Sequence, residues 1–175
     1  MGSKSGRLYS FFAGDHDRID DLFKLATQVK EAVDLGLYEQ FRGGLLRHIG
    51  MEERILIPAA QRASGDKKLA VVEKIRLDHG AIAALLVPKP IPLVLSALKA
   101  ILTKHNELEE QSGGLYEVCE QLTENELDRL MKQLAEVAEV STNPLQEPSK
   151  VLDATRRALS RAGYNLDSYK PETSA

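Results

Sequence analysis

Two short motifs, each present twice and in alternating order, constrain this chain more than anything else in it. Asp15-His16-x-x-Ile19-x-x-Leu22 returns as Asp78-His79-x-x-Ile82-x-x-Leu85, and His48-x-x-x-Glu52-Glu53 returns as His105-x-x-x-Glu109-Glu110. The pattern uses all four histidines, and successive ones stand 32, 31 and 26 residues apart, about one helix and a turn each. Each half therefore reads as a helical hairpin, and the two hairpins as a bundle with pseudo-twofold symmetry. Short connections make neighbouring helices antiparallel. The expected fold is all-α: an up-down-up-down four-helix bundle over residues 8–122. A C-terminal extension of one or two helices over residues 123–175 packs on it.

The periodicity agrees. Leu, Ala, Glu and Lys dominate, aromatic residues are only 5%, and apolar residues recur at three- and four-residue spacing. A first helix is predicted from an N-cap at Asp15 to about Val33, carrying Ile19, Leu22, Phe23 and Leu25. A second starts near Tyr38, is interrupted or kinked at Pro58 and ends at Ser64-Gly65-Asp66. A third covers about Lys67 to Leu86. The run Val87-Pro88-Lys89-Pro90-Ile91-Pro92 is an extended connector, because prolines cannot repeat inside a helix. A fourth runs from about Leu93 past Glu110, with Gly113-Gly114 as its end, a kink or an interior site. Thr123-Glu124-Asn125-Glu126 reads as a capping box opening a fifth helix to about Val140, and a sixth covers Pro148 to Arg161. The tail after Gly163 is polar and expected to be loose. No strand pattern is visible.

The spacing inside the motifs is chemical. Residues i and i+4 share one helical face, one turn apart. His48 with Glu52, and His105 with Glu109, can each offer an imidazole and a carboxylate to one point, while His16 and His79 add an imidazole from each remaining helix. Six inward donors suffice for two metal ions. Chance explains this poorly. With 26 acidic residues in 175, two histidines each followed by an acid at i+4 arise with a probability of about 0.02. Buried carboxylates without partners would also cost several kcal/mol.

These residues resemble the hemerythrin-like family, the His-His-Glu cation-binding domains. The resemblance spans about Asp15 to Tyr116 and rests on Asp15-His16, His48-x-x-x-Glu52, Asp78-His79 and His105-x-x-x-Glu109. It implies a four-helix bundle around a non-haem di-iron centre, with Glu52 and Glu109 bridging the two ions beside an oxo or hydroxo bridge. The metal ligands it implies are His16, His48, Glu52, His79, His105 and Glu109. Two departures matter. The oxygen carriers of the family have a fifth histidine one turn after the third-helix histidine, where this chain has Ala83. On the fourth helix they have Asp one residue beyond the position of Glu109. Simple reversible oxygen carriage is therefore not expected. With His16 and His48 on one ion, His79 and His105 on the other, two bridging carboxylates and one bridging oxygen, each ion has five donors. One position on each then remains for oxygen, nitric oxide or peroxide. Imidazole and carboxylate donors suit iron or manganese, with zinc as a further alternative.

Other residues receive plainer readings. Asp20, the counterpart of Ala83, is read as solvated or paired locally, the alternative being an extra metal ligand or a partner behind one. Glu53 and Glu110 lie at the surface or behind the ligands, Asp15 caps a helix, and Asp78 is solvated. Tyr116, seven residues after Glu109, would lie near the metal layer on an unbroken helix, where it could donate a hydrogen bond or be oxidised; the plainer reading is core packing. Cys119 is a small buried side chain, and as the single cysteine it excludes a disulfide framework within the chain.

The function expected is a non-enzymatic di-iron protein that binds or senses oxygen, nitric oxide or peroxide, or buffers iron. The alternative is a di-iron oxidoreductase acting on peroxide, nitric oxide or ferrous iron. No nucleic-acid partner is expected at a net charge of −3. No membrane is expected, because no run approaches the length of a spanning helix. A cytoplasmic location fits the lone cysteine and the lack of a signal-like apolar run in Met1 to Phe12. The C-terminal helices are a candidate surface for a homodimer or a protein partner.

Overall fold

The computed structural model describes residues 6–29 and 32–169, and these are all-helical apart from turns, connectors and one isolated bridge between Pro88 and Gln146. The helices are α1 (Arg7–Thr27), α2 (Leu35–Met51), α3 (Ile57–Ala63), α4 (Ala70–Leu85), α5 (Pro92–Glu110), α6 (Leu115–Leu122), α7 (Leu127–Ala135) and α8 (Pro148–Arg161). A π-helical turn, Glu52–Leu56, joins α2 to α3, and 3-10 turns lie at Glu124–Glu126 and Leu166–Ser168. The chain forms two compact units, Met1–Val72 with Leu108–Thr142, and Glu73–Glu107 with Asn143–Ala175.

In the first unit α1 buries one stripe: Leu8, Phe12, His16, Ile19, Phe23 and Ala26. It lies against α2, which buries Tyr38, Phe41, Leu45, His48 and Met51. Each histidine thus sits in register with an apolar stripe rather than on a polar face. Helix α1 begins eight residues before Asp15, the cap the sequence suggested. Its first free amides are met by a carboxylate from α6: Glu120 accepts from Arg7 N (2.8 Å) and Leu8 N (2.9 Å). That cap is tertiary and leaves no local signature. The helix ends at Thr27 rather than Val33.

Pro58 does not break the second helix. It has no N–H to give the carbonyl of Arg54, and its ring crowds that oxygen. The backbone widens instead, with Ile57 N–H donating to Glu52 O across a π turn. Upstream, Asp34 caps α2 by accepting from Gly36 N and Leu37 N. The capping box read at Thr123 does not form, because the Thr123 hydroxyl donates to Cys119 O (2.8 Å) and α7 starts only at Leu127. α7 stops at Ala135, short of Val140. The chain beyond it lies along α2, where Arg47 Nε donates to Val137 O (2.9 Å).

In the second unit, the connector after α4 carries the Pro88–Gln146 bridge, with Lys89 N donating to Gln146 O (2.8 Å) and Gln146 N to Val87 O (3.0 Å). α8 begins at Pro148, well placed in a first turn, and ends at Arg161 as the sequence indicates. The following segment, expected to be loose, is tied down as far as Tyr169, and residues 170–175 lie outside the described residues. Leu166 is buried, and Arg156 pairs with Asp167.

Candidate metal centre

The first unit assembles a buried polar cluster. α1 supplies His16, α2 supplies His48, the start of the π turn supplies Glu52, and the last turn of α5 supplies Glu109. All four are buried, and both glutamates are fully excluded from solvent. His16 Nε2 lies 3.3 Å from Glu109 Oε2, and His48 Nε2 lies 3.4 Å from Glu52 Oε1. His16, His48 and Glu109 each present a donor atom within 4.8 Å of the others, close enough to share one metal ion.

The far nitrogen of each ring is also held. His16 Nδ1 contacts Glu110 Oε1 at 2.6 Å, and His48 Nδ1 contacts Asp15 Oδ2 at 2.9 Å. A carboxylate behind an imidazole fixes the ring and leaves Nε2 to face inward, the arrangement that supports metal-bound histidines. The imidazole and carboxylate donors therefore fit a metal ion.

With no ion bound, the carboxylates favour protonated rings. Burial opposes a proton on His16, but hydrogen bonds to Glu109 and Glu110 outweigh it and raise its pKa to about 10. Burial likewise opposes protonation of His48, and the charge of Glu52 with the hydrogen bond to Asp15 moves its pKa up. Asp15 is pulled below the usual carboxylate range, the contacts with His48 and Arg18 prevailing over burial.

Two of the plainer readings need correction here. Asp15 caps nothing, because it lies inside α1 and serves His48. Asp78 is buried, not solvated. In the second unit it receives Lys74 Nζ at 2.5 Å and lies 3.8 Å from His105 Nδ1. Lys74 also donates to Ala162 O (3.2 Å) and Tyr164 Oη (3.1 Å). The repeated Asp before each His thus stands behind the histidine of the following motif, closely at Asp15 and more loosely at Asp78. The repetition itself was the signal for that role. His79 and His105 are buried and paired, their ring centroids 4.9 Å apart. Asp20 behaves as expected, exposed and bound to Lys24 at 2.5 Å.

Tyr116 is buried as core, and it also takes the alternative the sequence offered, a hydroxyl beside the ligand-type residues, although the helix carrying it is broken. Gln111 to Gly114 break the helix after Glu110, and α6 returns Tyr116 into the cluster. Its hydroxyl lies 2.8 Å from Glu52 Oε1, 3.0 Å from Glu109 Oε2, 3.2 Å from His16 Nε2 and 3.3 Å from His48 Nε2. Its ring stacks on Phe12, with centroids 4.8 Å apart and planes 8° from parallel. Cys119 is buried nearby, and burial with the charges of Glu52 and Glu109 drives its thiol pKa far upward, so it stays a thiol.

Comparison with known proteins finds no matching family model, no matching characterised protein and no matching solved structure. What fold and site define is an all-helical protein with a buried histidine–glutamate cluster able to hold a metal ion, compatible with the hemerythrin-like class.

Proposed function

We propose that this chain is a hemerythrin-like non-haem di-iron protein that binds or senses a small molecule such as oxygen, nitric oxide or peroxide, or buffers iron. The observation that carries the reading is the pair of carboxylate-anchored imidazoles, His16 on Glu110 and His48 on Asp15, which converge on Glu52 and Glu109. In this reading His16 and His48 hold one ion and the paired His79 and His105 hold the other. Glu52 and Glu109 serve both. The four ligand-bearing helices form an up-down-up-down bundle over residues 8–122, with residues 123–175 packed on it.

Bound iron would supply electron transfer and an exchangeable coordination position. The protein supplies the rest. Glu110 and Asp15 orient the rings, burial excludes bulk water, and the carboxylates hold the protons of His16 and His48 until metal displaces them. Ala83, one turn after His79, leaves room beside the His79–His105 ion that a histidine would fill.

Anion binding tests this. Oxidised, iron-loaded protein titrated with azide is expected to develop a new visible absorption band that saturates, because a position for a small ligand exists. Iron-loaded protein whose spectrum is indifferent to azide and nitric oxide would contradict the small-ligand reading.

A further inference from the structure

We infer that Tyr116 is a direct metal ligand, its phenolate oxygen binding the same ion as His16 and His48. The inference rests on the di-iron reading above and deepens it.

A phenol has one proton to give and two lone pairs to offer, so it satisfies at most three hydrogen bonds. The Tyr116 hydroxyl has four close polar neighbours, two carboxylate oxygens and two ring nitrogens, at 2.8–3.3 Å. One proton cannot serve both carboxylates. Donors bound at about 2.1 Å to one ion and set at right angles lie roughly 3 Å apart. The hydroxyl therefore stands from His16 Nε2, His48 Nε2, Glu52 Oε1 and Glu109 Oε2 as one donor stands from its neighbours around a shared ion. Neither surroundings nor backbone lets it retreat. Tyr116 is fully buried and its ring is clamped against Phe12. Gly114 sets the entry of α6 so tightly that a Cβ there would meet Leu108 O, Glu109 O and Gln111 O at 2.6–2.7 Å.

Binding to iron(III) breaks the phenol O–H bond. The proton passes to solvent buffer, an oxygen lone pair forms the bond to the metal, and no electron changes hands. A hard anionic oxygen favours iron(III) over iron(II) at that ion. It also occupies the position left beside His16 and His48, so exchangeable chemistry is confined to the ion of His79 and His105. The two halves of a repeated sequence would then do different work.

The full chain is loaded with iron(II) without oxygen, oxidised in air, and examined by iron analysis, optical spectroscopy and resonance Raman. The expected result is a broad phenolate-to-iron(III) band in the visible, with tyrosinate ring modes that shift when the protein is made with ring-deuterated tyrosine. Tyr116→Phe keeps its iron and loses band and modes, while Tyr9→Phe, Tyr38→Phe, Tyr164→Phe and Tyr169→Phe keep both. Should Tyr116→Phe not fold, the isotope shift with the four other variants decides the assignment. Full iron loading without tyrosinate modes overturns the ligand and leaves the di-iron reading standing. The same modes persisting in Tyr116→Phe overturn it too. Failure to retain iron at all removes both.

Discussion

At the scale of single residues, the candidate centre depends on side chains that never face the metal. Asp15 touches His48 Nδ1 at 2.9 Å and is itself braced by Arg18 at 2.8 Å. Removing such a carboxylate typically weakens metal binding about 10–100-fold. Asp15→Ala is expected to lose iron(II) affinity within that range while retaining helical circular dichroism. Affinity equal to the parent would show that His48 needs no anchor. Protons give a second prediction. The raised pKa of His16 means that, without metal, its contribution to stability is fully present below about 6.5 and is lost as pH rises through about 10. Metal needs the bare nitrogen and competes with that proton, and His48 is biased the same way. Manganese(II) or anaerobic iron(II) should therefore bind at least about tenfold more weakly for each unit that pH falls from 8 to 6. Calorimetry in buffers of different ionisation enthalpy measures the protons released, and none released contradicts the carboxylate-held imidazoles. The ligand-type residues themselves were legible because their spacing is helical and repeated. Asp15 and Glu110 were harder to place, since their partners lie 33 and 94 residues away in sequence, and of the Tyr116 partners only Glu109, 7 residues away, is local, the others lying 64–100 residues away.

At the scale of elements, the outcome follows from where each end is stabilised. Local signals located α8, which opens on Pro148, and the stop of α3, where Gly65 and Asp66 adopt positive φ of 68° and 58°. They did not locate the start of α1, whose cap comes from Glu120 on α6, or the end of α7, where Arg47 takes up the Val137 carbonyl. Pro58 was read as an interruption or kink, and the π turn it imposes begins at Glu52, one of the candidate ligands. The break between α5 and α6 is the element that brings Tyr116 back. Gly113 turns the chain at a φ of 75°, and Gly114 packs where no side chain fits. Gly114→Ala should cost about 1–3 kcal/mol through overpacking, read as a lowered Tm. It should also shift Tyr116 and reduce iron retention. Gly80→Ala, where nothing lies within 4 Å of a Cβ, is the matched control and should do neither. Equal behaviour of the two variants would mean that the α5–α6 corner does not position the site.

At the scale of the molecule, the described residues contain no helix long and apolar enough to cross a membrane. The C-terminal region read from the sequence as one extension is divided, with residues up to Thr142 in the first compact unit and those from Asn143 in the second. Composition and periodicity showed that these segments were helical in part, but not which packed core each would join, because that depends on contacts remote in sequence such as Arg47–Val137 and Thr155–Ala84. The proposal that His16 and His48 serve one ion, and His79 and His105 another, makes a stoichiometric demand on the whole chain. The most direct test is the iron content of the full chain after anaerobic loading and desalting, by elemental mass spectrometry against protein concentration. Two irons per chain are expected, and about one in each double variant, His16→Ala with His48→Ala and His79→Ala with His105→Ala. A reproducible ratio of one or zero in the unmutated protein would contradict that proposal.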